Sequence, residues 1–229
     1  ADRPATDGVP VSRPAGVVAL HVARVAREHL PMFVGLHETH DMVERVRPVY
    51  PTLVAEVVPS QISLARLAEV LRRLVEEKVS IRDLKTILVA IAERREWDEA
   101  VPVLTEHVRA ALALQLAHDH AGPGGKLEAV LVDPELEARI RNSLVDGPAG
   151  RELALEPRIR ADVLDGARRS LAPLVEAGRT PVVLTQADVR PWVRALLEAA
   201  IPGVAVLSAR ELPPRLLVEP VGRVSSNAT

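Results

Sequence analysis

Apolar residues between Leu64 and Val75 return at helical spacing, with Leu64, Leu67, Ala68, Leu71, Leu74 and Val75 on one face and Arg66, Glu69, Arg72, Arg73 and Glu76 elsewhere. The spacing predicts a helix with Ser63 as its N-cap. After Lys78, Ser80 and Asp83 have the three-residue offset of a capping box, which predicts a new helix from Ile81 with a buried stripe of Ile81, Leu84, Ile87, Leu88 and Ile91. That helix ends in the charged run AERREWDE. A third stripe, Val101, Leu104, Val108, Ala111 and Leu112, continues towards His120, where Gly122, Pro123, Gly124 and Gly125 break it. Residues 60–121 therefore read as a three-helix, winged-helix-like module.

Upstream, Val17, Leu20, Val22, Val25 and Ala26 lie near helical spacing between Pro14 and Pro31. Two shorter helices follow, over 38–47 and 52–58, each stopped by a proline, so 17–59 is a helical lead-in. Residues 1–16 have no hydrophobic periodicity and read as a cut or processed start leading into a flexible or strand-like linker. Beyond the glycines the pattern changes to strand at 127–132, helix from Asp133 and Pro134 to about Leu144, helix over 157–177, strand at 181–185, a second capping box at Thr185 and Asp188, helix over 189–200, and strands at 204–207 and 216–221. Residues 122–229 are thus expected to form a small α/β domain, and the fold class is multi-subdomain α+β.

Composition narrows the function classes. Basic and acidic residues number 29 and 31, and aromatics make up 2% of the chain, so neither phosphate attraction nor base stacking is provided for and nucleic acid is not an expected partner. A DNA-binding or regulatory winged helix is the alternative, but its recognition helix would mix Arg82, Lys85, Arg94 and Arg95 with Asp83 and Glu93. Cysteine is absent, which excludes thiolate chemistry. No uncharged apolar run approaches the roughly 20 residues of a membrane helix.

Candidate chemistry is thin. His37 and His40 have metal-compatible spacing, yet the residue four on from His37 is Asp41, so the helical zinc-protease pattern is incomplete and a polar helix face is the simpler reading. His118, Asp119 and His120 diverge around a helix and suit a C-terminal turn. The glycine hinge precedes a strand instead of opening a helix, so it is no phosphate loop. Serines 63, 80, 143, 170 and 208 lie outside any nucleophile motif, and the carboxylate pairs 76/77 and 135/137 are expected on solvated helix ends. No catalytic residue, metal or cofactor is predicted.

Several blocks taken together resemble a known family: VGLHET at 34–39, YPTLVAEVVP at 50–59, LAEVLRRLVEEKVSIRDLKTIL at 67–88, LTEHVRAAL at 104–112, LVDPELEARIRNSL at 131–144, LALEP at 153–157, VVLTQADVRPWVRALLE at 182–198 and VAVLSARELPP at 204–214. They are similar to the cytoplasmic C-terminal domain of the type III secretion export-gate proteins of flagella and injectisomes, over roughly 17–224. The resemblance implies no enzyme. It implies a homo-oligomeric ring on the cytoplasmic face of the bacterial inner membrane, held there by an N-terminal membrane-spanning half, which receives export substrates and substrate–chaperone complexes with help from an export ATPase complex. Members usually begin with further β-rich subdomains, of which no strand is read here. The family's chaperone-docking dimple maps onto Phe33, Val34, Gly35 and Leu36, with Glu38 and Thr39 at its rim; the competing reading has Phe33 filling a joint between subdomains. The ring implies charged contacts between copies, for which Arg82, Asp83, Glu106 and Arg109 are candidates, against intramolecular pairing or solvation.

Overall fold

In a computed structural model of the chain, residues 14–94, 100–122, 124–147 and 150–225 are described. The expected linker, the end of the charged run after Glu93, and Pro123 of the hinge lie wholly or largely outside them. The chain packs as two compact units, 1–84 and 85–229.

The first unit is helical: α1 (Pro14–Glu28), a 3-10 turn (Leu30–Phe33), α2 (Leu36–Val46), α3 (Pro51–Val57) and α4 (Leu64–Glu76). The Ser63 side chain accepts the Arg66 N–H at 3.3 Å and fixes the start of α4 where the pattern placed it. Leu67, Val70, Leu71 and Leu74 from α4 are fully buried, and Val43, Val54 and Val57 join them in an aliphatic core. The next helix, α5, runs Leu84–Ala92 instead of starting at Ile81. The Ser80 hydroxyl oxygen accepts the Arg82 N–H at 3.4 Å, and residues 80–83 are neither helix nor turn, so the chain enters α5 only after Asp83.

The second unit continues with α6 (Val101–Ala111) and α7 (Ala113–His120), two helices in place of the one expected, separated at Leu112. After the hinge come β1 (Lys126–Val132), α8 (Pro134–Asn142), β2 (Leu144–Gly147), β3 (Gly150–Leu153), α9 (Pro157–Glu176), β4 (Val182–Thr185), α10 (Arg190–Glu198), β5 (Ala205–Ser208) and β6 (Leu217–Val224). Asp133 caps α8, accepting the Glu135 N–H at 3.0 Å, with Pro134 in the first turn. A parallel sheet orders β5-β4-β1-β6, with α9 against β6 and α10 against β5. Pro220 fits in β6 because that strand is at the sheet edge, next to an extra residue at Val221 that shifts the register with β1. At Gly222 the backbone comes so close to Val130 that an added Cβ would sit 3.4 Å from its Cγ2.

The β2–β3 hairpin was not read from the sequence. Thr185 and Asp188 do not form a capping box: the Thr185 hydroxyl donates to Glu137 at 2.7 Å, Asp188 pairs with Arg141, and α10 begins only at Arg190. Glu137, expected on a solvated helix end, is buried and also accepts the Gln186 N–H at 2.8 Å, tying α8 to the end of β4.

Candidate functional site

The segment from His29 to Thr39 is held by an unusual density of backbone anchors. Met32 N–H donates to His29 O, and Val34 N–H donates to Pro31 O, closing the 3-10 turn. The Val34 side chain is buried, and its carbonyl accepts from the Arg72 guanidinium of α4 at 3.1 Å. Gly35 starts α2: its N–H donates to the Glu38 carboxylate at 3.1 Å, and its carbonyl accepts the Thr39 hydroxyl at 2.7 Å.

Around this fixed backbone the large apolar side chains face outward. Met32 is 79% exposed, Phe33 65% and Leu36 55%. Phe33 is the single phenylalanine of the sequence. Val17, Val18 and Val22 of α1 are exposed as well, and Val25, Ala26, His29, Met32 and Phe33 line a shallow open groove of about 510 Å3. Isolated apolar residues are normal on a surface; a contiguous exposed set is the kind of feature that makes a candidate interaction site.

Of the docking candidates, Phe33 and Leu36 are on this surface, Gly35 is half-buried, Glu38 is exposed, and Val34 and Thr39 lie beneath it as anchors. Val25 and Ala26 are read from the sequence only as part of a helical apolar stripe, and His29 and Met32 are not singled out there. The apolar stripe of α1 was the available signal, but periodicity identifies an apolar face without saying what covers it.

The ring candidates divide. Arg82 and Asp83 are exposed. Arg109 is 2% exposed and donates from Nε to Glu211 Oε1 at 2.6 Å, so it belongs to the interior of the second unit and not to a surface. Glu106 accepts from Arg190 Nε at 2.5 Å, and the Val206 carbonyl accepts from both arginines, at 3.5 Å from Arg109 and 3.3 Å from Arg190. Burial raises the Glu106 carboxyl above its ordinary value, against the opposing pull of Arg190.

Among the described residues, no group of three or more His, Asp or Glu side chains is placed to hold a metal. His37 lies 3.8 Å from Asp41 in an exposed pair. His120 at the end of α7 is pushed below its ordinary pKa, chiefly by burial, and its Nδ1 is buried without a hydrogen bond. Its folded-state pKa is therefore below the unfolded value of 6.5, the unfolded chain binds the proton more readily, and stability falls as pH drops below that value. Denaturation midpoints between pH 7.5 and 5 are expected to decline in the natural chain and to decline less in His120→Gln; equal slopes would contradict this. The serines are structurally engaged: Ser143, Ser170 and Ser208 donate to Arg139 O, Arg223 O and Glu211, each at 2.8 Å. No described helix is long and apolar enough to cross a membrane.

Comparison with known proteins follows the same lines. The model of the FHIPEP family matches residues 1–216. The low calcium response locus protein D of Yersinia pestis is 34% identical over 208 residues, covering 91% of this chain and 29% of that protein. The chain spans about a third of the length of the curated relatives it matches. Chlamydia pneumoniae CdsV, solved as a complex of CdsV and CdsO, aligns with a TM-score of 0.87 at 35% identity, covering 93% of this chain and 63% of that chain. The nonameric EscV cytosolic domain from the type III secretion system aligns with a TM-score of 0.79 at 26% identity, again over 93% of this chain and 63% of that one.

Proposed function

From the premise that this chain belongs to the FHIPEP family of type III export-gate proteins, we propose that it is a docking piece of the gate's cytoplasmic domain, receiving export substrates and substrate–chaperone complexes through the Met32–Phe33–Leu36 surface. The observation that carries this reading is the exposure of the chain's single phenylalanine, at 65%, on a backbone anchored at both ends. A chain with so few aromatics gains nothing for its own core by placing one in solvent, whereas aromatic anchors dominate binding interfaces.

The rest of the assignment follows by analogy with the relatives. The intact protein is proposed to stand at the cytoplasmic face of the inner membrane and to form a ring, as the nonameric EscV domain does. Arg82 and Asp83 remain the candidates for contacts between copies. Work with the export ATPase complex and engagement of a CdsO-like partner are part of the same proposal. The division into 1–16, 17–59, 60–121 and 122–229 is proposed as the gate's subdomain plan. A DNA-binding reading is not favoured, because the family and the balance of 29 basic against 31 acidic residues both point away from it.

Titration of a purified, substrate-loaded secretion chaperone of the same export system into the chain tests the proposal. Phe33→Ala is expected to weaken binding about tenfold while leaving the unfolding midpoint unchanged, since little of the ring is buried. Unchanged affinity in the folded variant would sink the docking claim.

A further inference from the structure

The 3-10 turn bearing Met32 and Phe33 is four residues long and cannot fix itself. A turn that short makes few internal hydrogen bonds, and its last carbonyls need outside donors. Val34, the residue that closes it, has all three of its attachments supplied: its N–H by Pro31 O at 3.2 Å, its side chain by the core, and its carbonyl by Arg72. Arg72 comes from α4, 38 residues away in sequence, on the helix whose apolar face forms the core of the first unit. Through this hydrogen bond a side chain of that helix reaches the backbone of the exposed tip. Gly35, one residue on, is held among the described residues by α2's own Glu38 and Thr39.

Resting on the docking reading above, we propose that Arg72 is the positioning residue of the docking surface: it touches no partner, but its hydrogen bond to the Val34 carbonyl keeps the Met32–Phe33 tip in the single conformation that an apolar partner surface recognises. A guanidinium suits this task because its planar set of donors bonds a carbonyl oxygen while the aliphatic stem packs along the helix. Without it, Val34 O loses its charged donor and the tip samples other arrangements. The apparent affinity then falls by the fraction of time the competent one is populated, so a competent population of about one in five would weaken binding about fivefold.

Position and contact predict different kinetics. Arg72→Met in the full chain is expected to lower the association rate about fivefold towards a substrate-loaded secretion chaperone while the dissociation rate barely moves, because the complex, once formed, has the same contacts. Arg72→Lys, which keeps a donor, is expected to recover part of the rate. Phe33→Ala should instead speed dissociation. In the free chain, amide hydrogen exchange at Val34 and Gly35 is expected to rise in Arg72→Met relative to that at Val70 and Leu71 of α4. If exchange at 34–35 stays at the natural level, Arg72 does not position the tip, whatever the chaperone does. If exchange rises but neither Arg72→Met nor Phe33→Ala alters binding, the docking reading fails and with it the functional role of Arg72. If exchange rises and Phe33→Ala alone weakens binding, the tip docks without needing Arg72 and the proposal is overturned.

Discussion

Replacing Glu211 with Ala is expected to lower the stability of the second unit by about 3–5 kcal/mol, because it leaves the Arg109 guanidinium buried without its counter-charge. Both partners are essentially inaccessible, at 2% and 1% side-chain exposure, so water cannot take over the lost interaction. Glu211 also accepts the Ser208 N–H at 2.5 Å and the Ser208 hydroxyl at 2.8 Å, and three donors would lose their acceptor together. Arg109→Ala is the milder change, since Ser208 continues to satisfy one carboxylate oxygen. The double substitution Arg109→Met with Glu211→Leu should recover the part of the loss owed to the unpaired charge, as an apolar pair removes both charges at once, but not the part owed to Ser208, whose two donors still lose their acceptor. Urea denaturation with a shared slope measures all three; a Glu211→Ala cost below about 1 kcal/mol would mean that the pair is solvated and the clamp between α6 and the β5 end is not what holds them.

The second large effect concerns binding. Phe33→Asp places a charge at the centre of the proposed docking surface, where a partner's apolar group would have to desolvate it. The expected cost is about 2 kcal/mol or more, roughly a thirtyfold loss of affinity, exceeding that of truncation to alanine. Stability should hardly change, because residue 33 is already in solvent and its backbone is fixed by Val34 and Gly35.

Much of the fold follows from local chemistry. The Ser63 hydroxyl and the stripe of α4 mark that helix completely, and Asp133 with Pro134 does the same for α8. Three strands of the parallel sheet, β1, β4 and β5, are short apolar runs that stand out because they are largely buried, whereas the edge strand β6 is mostly exposed. The β2–β3 hairpin was missed because its four-residue strands are mostly exposed and have no apolar face to betray them. The roles of Glu106 and Arg109 were illegible for a different reason: on α6 they look like any solvated charges, and their partners are 84 and 102 residues away. The proposed docking surface is half legible. The resemblance led to Phe33 and Leu36, while the exposure of Met32 and of α1, and the anchoring by Arg72, depend on which apolar face is left uncovered, which no periodicity encodes.

The most direct test is a calorimetric titration of substrate-loaded chaperone into the natural chain, Phe33→Asp and Leu114→Asp, the last altering another large apolar residue, 77% exposed on α7. The account predicts saturable binding to the natural chain and to Leu114→Asp with the same affinity, and loss of about thirtyfold or more in Phe33→Asp. Equal binding by all three, or a loss at Leu114 matching that at Phe33, would contradict it.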